Sequence, residues 1–127
     1  MPFKYQSSMH IETHLIKNIK IAEITSDAII VQSAEDGLDL LGNLYYQGFD
    51  KIIIHSRNIS PDFFDLKNGM AGEILQKFSN YRIPLAIVGD FTPHSSKNVK
   101  DFIAESNKMG HINFVNTISE ALKVLRD

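Results

Sequence analysis

Three consecutive isoleucines at positions 52–54, framed by Lys51 and His55, constrain this chain more than any other feature. So short a run, with no polar residue at alternate positions, suits a β-strand covered on both faces, as in parallel sheets walled by helices. A second run of the same kind, residues 85–88, follows Pro84 and ends on Gly89 and Asp90. Stretches with apolar residues at helical spacing lie between and around the two, so strands alternate with helices. Right-handed crossovers then lay the two strands side by side and parallel at the middle of the sheet.

Turn residues punctuate the remainder. Residues 10–16 and 19–25 read as strands joined by a short hairpin at Lys17 and Asn18, with Ile19 and Ile21 facing inward. After a brief extended run at residues 28–31, Ser33 with Asp36 three residues on opens a helix that reaches about Gln47 and closes at Gly48. Leu38, Leu41 and Tyr45 recur on it at helical spacing, with Leu40 and Leu44 beside them. A second helix, capped by Asp65 or Asn68, carries Met70, Ile74 and Phe78 on one side and ends around Asn80 and Tyr81. A third starts from Ser95 or Ser96, holds Val99, Phe102 and Ile103, and stops at Gly110. Residues 112–115 form the last strand, and Thr117 with Glu120 caps a final helix bearing Ala121, Leu122 and Leu125. The fold class expected is α/β: a mixed, mostly parallel sheet with an N-terminal β-hairpin and about four helices. Residues 1–8 are expected to be a flexible N-terminus, and residues 9–127 a single α/β domain.

Composition narrows the function. Thirteen basic and fifteen acidic residues, with the signs interspersed, give no basic face for nucleic acid. With no cysteine, thiolate nucleophiles, disulfides and Cys-ligated zinc or iron–sulfur clusters are excluded. No segment reaches the apolar length of a membrane span, and the start lacks a signal-peptide core, so a cytoplasmic location is expected. No cofactor is expected either.

Ligands of such sheets meet the carboxyl ends of the strands. His55, Ser56 and Arg57 follow one strand, with Asp62 and Asp65 beyond, and Asp90, His94, Ser95, Ser96 and Lys97 follow the next. His55, Asp90 and His94 could together make a general base for a serine nucleophile, although no G-x-S-x-G elbow surrounds the serines and capping a helix accounts for them. His10, Glu12 and His14 alternate and so share one face of a strand, a pattern able to hold a divalent cation and equally that of the wet side of an edge strand. Gly69 and Gly72 interrupt a helix, where each costs about 1 kcal/mol relative to alanine, and close packing of the helix start is the expected reason. Phe64 and Phe91 are expected to plug the core, Phe63 to project from its loop, and one of Tyr45 and Tyr46 to face outward.

The order of hairpin, helix, strand, loop and glycine-bearing helix over about residues 19–127 resembles the STAS fold of anti-sigma-factor antagonists. In that fold a serine in an Asp-Ser-Ser-Gly-like turn is phosphorylated. The comparable run here is Asp65, Leu66, Lys67, Asn68, Gly69, and neither Leu66 nor Lys67 can take a phosphate, so the switch does not carry over. Residues 36–55, DGLDLLGNLYYQGFDKIIIH, with the block NISPDFFDLKNGMAGEILQKFSNYR and the segments GDF and DFIAESNK, resemble an uncharacterised bacterial family, domain-of-unknown-function family 4180. That resemblance implies no activity. The STAS likeness implies a non-enzymatic regulatory or protein-interaction module, binding a protein partner through the strand-end loops and the helix starting near Gly69; the candidate binding residues are Arg57, Asp62, Phe63, Asp65, Lys67, Asn68, Gly69, Ser95, Ser96 and Lys97, of which Arg57, Lys67 and Lys97 would serve an anion sensor. A homodimer is compatible with so small a unit. A small-molecule or anion sensor, and a small hydrolase using His55, Asp90 and His94, are the alternatives.

Overall fold

A computed structural model describes residues 9–94 and 96–126. Strands β1 (His10–Ile16), β2 (Ile19–Thr25), β3 (Lys51–His55), β4 (Leu85–Val88) and β5 (Ile112–Val115) form one sheet in the order β1-β2-β3-β4-β5. β1 and β2 are antiparallel, and β2 to β5 run parallel. The helices are α1 (Ala34–Tyr46), α2 (Met70–Asn80), α3 (Lys97–Met109) and α4 (Ile118–Leu125). The isoleucine run is the central strand, with Ile52 beside Ala22 and Leu85, and the fold is the mixed α/β expected.

Local chemistry sets most boundaries. Lys17 and Asn18 both adopt positive φ, 52° and 69°, as the tight hairpin turn requires. Ser33, Ser96 and Thr117 each accept a backbone N–H at the first turn of α1, α3 and α4, and Gly110 ends α3 in the left-handed region. Asn68 rather than Asp65 serves α2, its Oδ1 accepting from Met70 N at 2.9 Å.

Consecutive parallel crossovers in one direction place α1, α2 and α3 on the same face of the sheet. Their side chains Leu40, Leu41, Leu44, Ile74, Phe78 and Val99 pack there with Ala22, Ile24, Ile52, Ile54, Leu85 and Ile87. The buried stripe of α1 is centred on Leu40, Leu41 and Leu44, a rotation from the expected Leu38, Leu41 and Tyr45, so that Tyr45 lies outside. Gly37 faces the same seam: a Cβ there would stand 3.1 Å from Ile74, so α1 and α2 approach closely at this point. An apolar void of about 20 Å³ lies between Gly37, Leu40, Ile54 and Ile74.

α4 takes the second face. Ala121 and Leu125 pack there with Ile21, Ile53, Ala86 and Val88, flanked by Ile16 and Ile19, and Lys51 Nζ donates to Leu125 O. Toward the carboxyl ends of β2 and β3 this face turns polar, because the register continues it through Glu23 and His55. Among the described residues no helix is long and apolar enough to cross a membrane.

Candidate functional site

β3 ends at His55, and the chain turns at once through a short 3-10 segment, Ser56–Asn58. Buried Asn58 fastens this turn. Its side-chain Nδ2 donates to Ser26 O at 2.7 Å and Ala28 O at 2.8 Å, while its backbone carbonyl accepts from Ile30 N and Val31 N. β4 ends next to it at Gly89, whose backbone lies so near Ser56 that a Cβ would fall 2.0 Å from Ser56 Oγ. Only glycine fits that spot. Gly89 N is tied to Val115 O, which brings Asn116 alongside.

The result is a solvent-open cleft of about 580 Å³ lined by His55, Ser56, Arg57, Gly89, Asp90, Thr92 and Asn116, together with Val88. Asp90 is fixed by its own loop, where Oδ1 accepts from Thr92 N at 3.0 Å and from Thr92 Oγ1 at 2.8 Å. The Thr92 backbone bond, followed by the hydroxyl bond, holds the Asp90 carboxyl below its ordinary value. Arg57 is exposed and has no ion-pair partner among the described residues.

Behind His55 lies a residue that the sequence reading passed over. Glu23, on β2, places Oε2 3.0 Å from His55 Nε2 and Oε1 2.8 Å from His14 Nε2 on β1. The side chains of Glu23 and His55 are each 13% exposed and that of His14 25%. Burial pushes the Glu23 carboxyl up, but the hydrogen bonds and charges of His14 and His55 outweigh it and leave the group below its ordinary value. The available signal was a lone carboxylate in a strand otherwise rich in isoleucine, flanked by a strand on each side.

The remaining candidates scatter. His94 does not reach His55; its ring stacks on Phe64 at 3.9 Å. Ser56 is not hydrogen-bonded to His55, Ser96 is occupied in capping α3, and Ser95 lies outside the described residues. Lys97 pairs with Asp101 at 2.8 Å on the exposed side of α3. Asp62, Asp65, Lys67 and Asn68 are exposed on the loop before α2, away from the cleft lining. His10 and Glu12 do share a face with His14, but both are exposed while His14 turns to Glu23. Among the described residues no group of three or more His, Asp or Glu side chains is arranged to hold a metal ion.

Two expectations are corrected. Phe63 does not project: it is 1% exposed and lies edge-on to Phe64 and Phe102, with Phe114 tilted beside it. Gly69 and Gly72 are not there for close packing, since a Cβ on either would meet nothing within 4 Å. Gly69 is required by its φ of +80° at the entry to α2. Phe64 is buried as expected, and Tyr45 and Tyr46 are both exposed, at 52% and 92%.

Chemically, the cleft offers Arg57, a cation with no ion-pair partner among the described residues, together with an oriented carboxylate, an imidazole backed by a second carboxylate, and neutral hydroxyl and amide groups. A search of curated proteins finds no match. A family model, by contrast, matches residues 16–125, a span that takes in the hairpin's second strand, the Glu23–His55 pair and the whole cleft. The chain belongs to the family described as Domain of unknown function (DUF4180).

Proposed function

We propose that this chain is a non-enzymatic regulatory module that binds a small polar acid at the carboxyl ends of β3 and β4. The observation behind this reading is the composition of the cleft. Arg57 stands there with no carboxylate partner among the described residues, beside the oriented Asp90 and the hydrogen-bonding groups of His55, Ser56 and Asn116. A free guanidinium suits a carboxylate or phosphate in bidentate contact, while Asp90 suits a hydroxyl or ammonium group on the same molecule. A volume of about 580 Å³ falls in the range of small-molecule sites. Binding is favoured over turnover because the hydroxyl nearest His55 in sequence, Ser56, makes no bond to it.

A thermal-shift screen with small carboxylic and phosphoric acids tests the reading. At least one acid should raise the melting temperature of the wild type and fail to do so in Arg57→Ala. If no acid raises it, and none shifts the amide resonances of Ser56, Arg57 or Asn116, the cleft is not a ligand site.

A protein-binding role has its own support at the opposite end of the sheet. Tyr45 and Tyr81 are exposed there next to Arg82, edge to face at 5.3 Å, and Tyr46, the residue after Tyr45, is exposed too; tyrosine and arginine are enriched in protein interfaces. Tyr46→Ala combined with Tyr81→Ala should abolish recovery of a stoichiometric partner from the native host while leaving the fold intact. Unchanged recovery would remove this reading.

A further inference from the structure

Glu23 does not line the cleft, yet it is the hydrogen-bond partner of the histidine that does. An ionised carboxylate has no hydrogen to donate, so its two oxygens can only accept. The Nε2 atoms of His14 and His55, at 2.8 and 3.0 Å, must therefore both carry hydrogens. A neutral imidazole protonated at Nε2 is bare at Nδ1. Nδ1 is then the ring nitrogen of His55 with no hydrogen-bond partner among the described residues, and it is an acceptor.

We propose that Glu23 is a positioning residue for the cleft: by holding the Nε2–H of His55 it makes Nδ1 a hydrogen-bond acceptor, so the site selects small acids that also carry a hydroxyl or amino group. The inference rests on the small-acid reading given above. His14 contributes by occupying the second oxygen, which keeps the carboxylate from rotating away from His55. The ligand class follows from the inventory: Arg57 takes the acidic group, while His55 Nδ1 and Asp90 are two acceptors that ask for donors. An acid without a donor leaves them unpaired when it displaces water, which is how sites built around hydrogen bonds reject the analogue lacking one.

The test uses the full chain at pH 8.5, well above the ordinary imidazole range. Long-range proton–nitrogen spectra of the ring should show His55 protonated at Nε2, and a proton on Nδ1 overturns the proposal without any variant being needed. Propanoate and 2-hydroxypropanoate are then titrated against the amides of Ser56, Arg57 and Asn116. The hydroxy acid should bind about five-fold more tightly, the worth of one net hydrogen bond. In Glu23→Leu, which has no acceptor for the Nε2–H of His55, that preference should vanish while propanoate binds as before. Equal binding of the two acids by the wild type, or a preference that survives Glu23→Leu, overturns this inference alone. Failure of both acids to bind removes the small-acid reading itself, and this inference falls with it.

Discussion

The backbone of Gly89 and the side chain of Ser56 meet where β4 and β3 end, with room for no atom between them: a Cβ on Gly89 would lie 2.0 Å from Ser56 Oγ and 2.7 Å from Ser56 Cβ. Rotation of the serine relieves the first contact but not the second. Gly89→Ala should therefore destabilise by about 1–3 kcal/mol, the usual cost of overpacking. Adding Ser56→Ala should restore only part of that loss, measured as non-additivity in urea unfolding. Full rescue would place the conflict in the hydroxyl alone.

Glu23 gives stability a pH dependence of definite sign. Its folded-state pKa lies below the ordinary 4.5, so its contribution is present in full above that value and is lost as pH falls through the lower folded value. Wild type and Glu23→Gln should differ clearly in urea midpoint at pH 7 and converge on acidification below about 4.5. A gap that stays constant down to pH 3 would mean that the charge of Glu23 is not what the two histidines stabilise.

The two glycines near the start of α2 should respond to alanine in opposite directions. Gly69 sits at φ +80°, where a side chain costs about 1–2 kcal/mol, so Gly69→Ala should lower stability and Gly69→Asn should lower it less. Gly72 is helical with open space around it, so Gly72→Ala should raise stability by about 1 kcal/mol. Thermal melts of the three variants suffice.

Phe63 and Tyr46 offer a direct contrast between a buried ring and a bare one. Phe63→Ala should cost about 3–5 kcal/mol, since it removes a ring packed among Phe64, Phe102 and Phe114. Tyr46, 92% exposed, should lose less than about 0.5 kcal/mol on the same change. Chemical denaturation of both variants measures the difference.

The strands and caps were legible in the sequence because their signals are local. Ile52 to Ile54 run without a polar residue among them to point at water, and Ser33, Thr117 and Gly110 each act within a few residues of themselves. Glu23 was not legible, because its partners lie 9 and 32 positions away and meet it only through strand pairing. Phe63 was misread for a related reason: it follows Pro61 and Asp62 in a single 3-10 turn, too short for periodicity to show which side faces inward. For α1 the apolar positions Leu38 and Tyr45 lie beside Leu40, Leu41 and Leu44 on a broad stripe, and the close seam at Gly37 against Ile74, set by another helix, lies on the side that is buried. The strand-end edge where His55, Ser56, Arg57 and Asp90 meet was legible, since all four fall at strand ends, but the cleft there and its other members were not: Thr92 and Asn116 enter through backbone geometry.

The hairpin corner at Lys17 and Asn18 governs more than a reversal of direction. It sets the pairing of His14 with Ile21 and of Glu12 with Glu23, and so decides which side of the sheet His14 looks toward. Neighbouring residues of a strand look to opposite sides, so an insertion that slid β1 by one step would offer Glu23 a leucine or a threonine in place of the imidazole. Relatives with a longer corner could thus keep every residue of the histidine–glutamate cluster in their sequence and still have lost half of its grip.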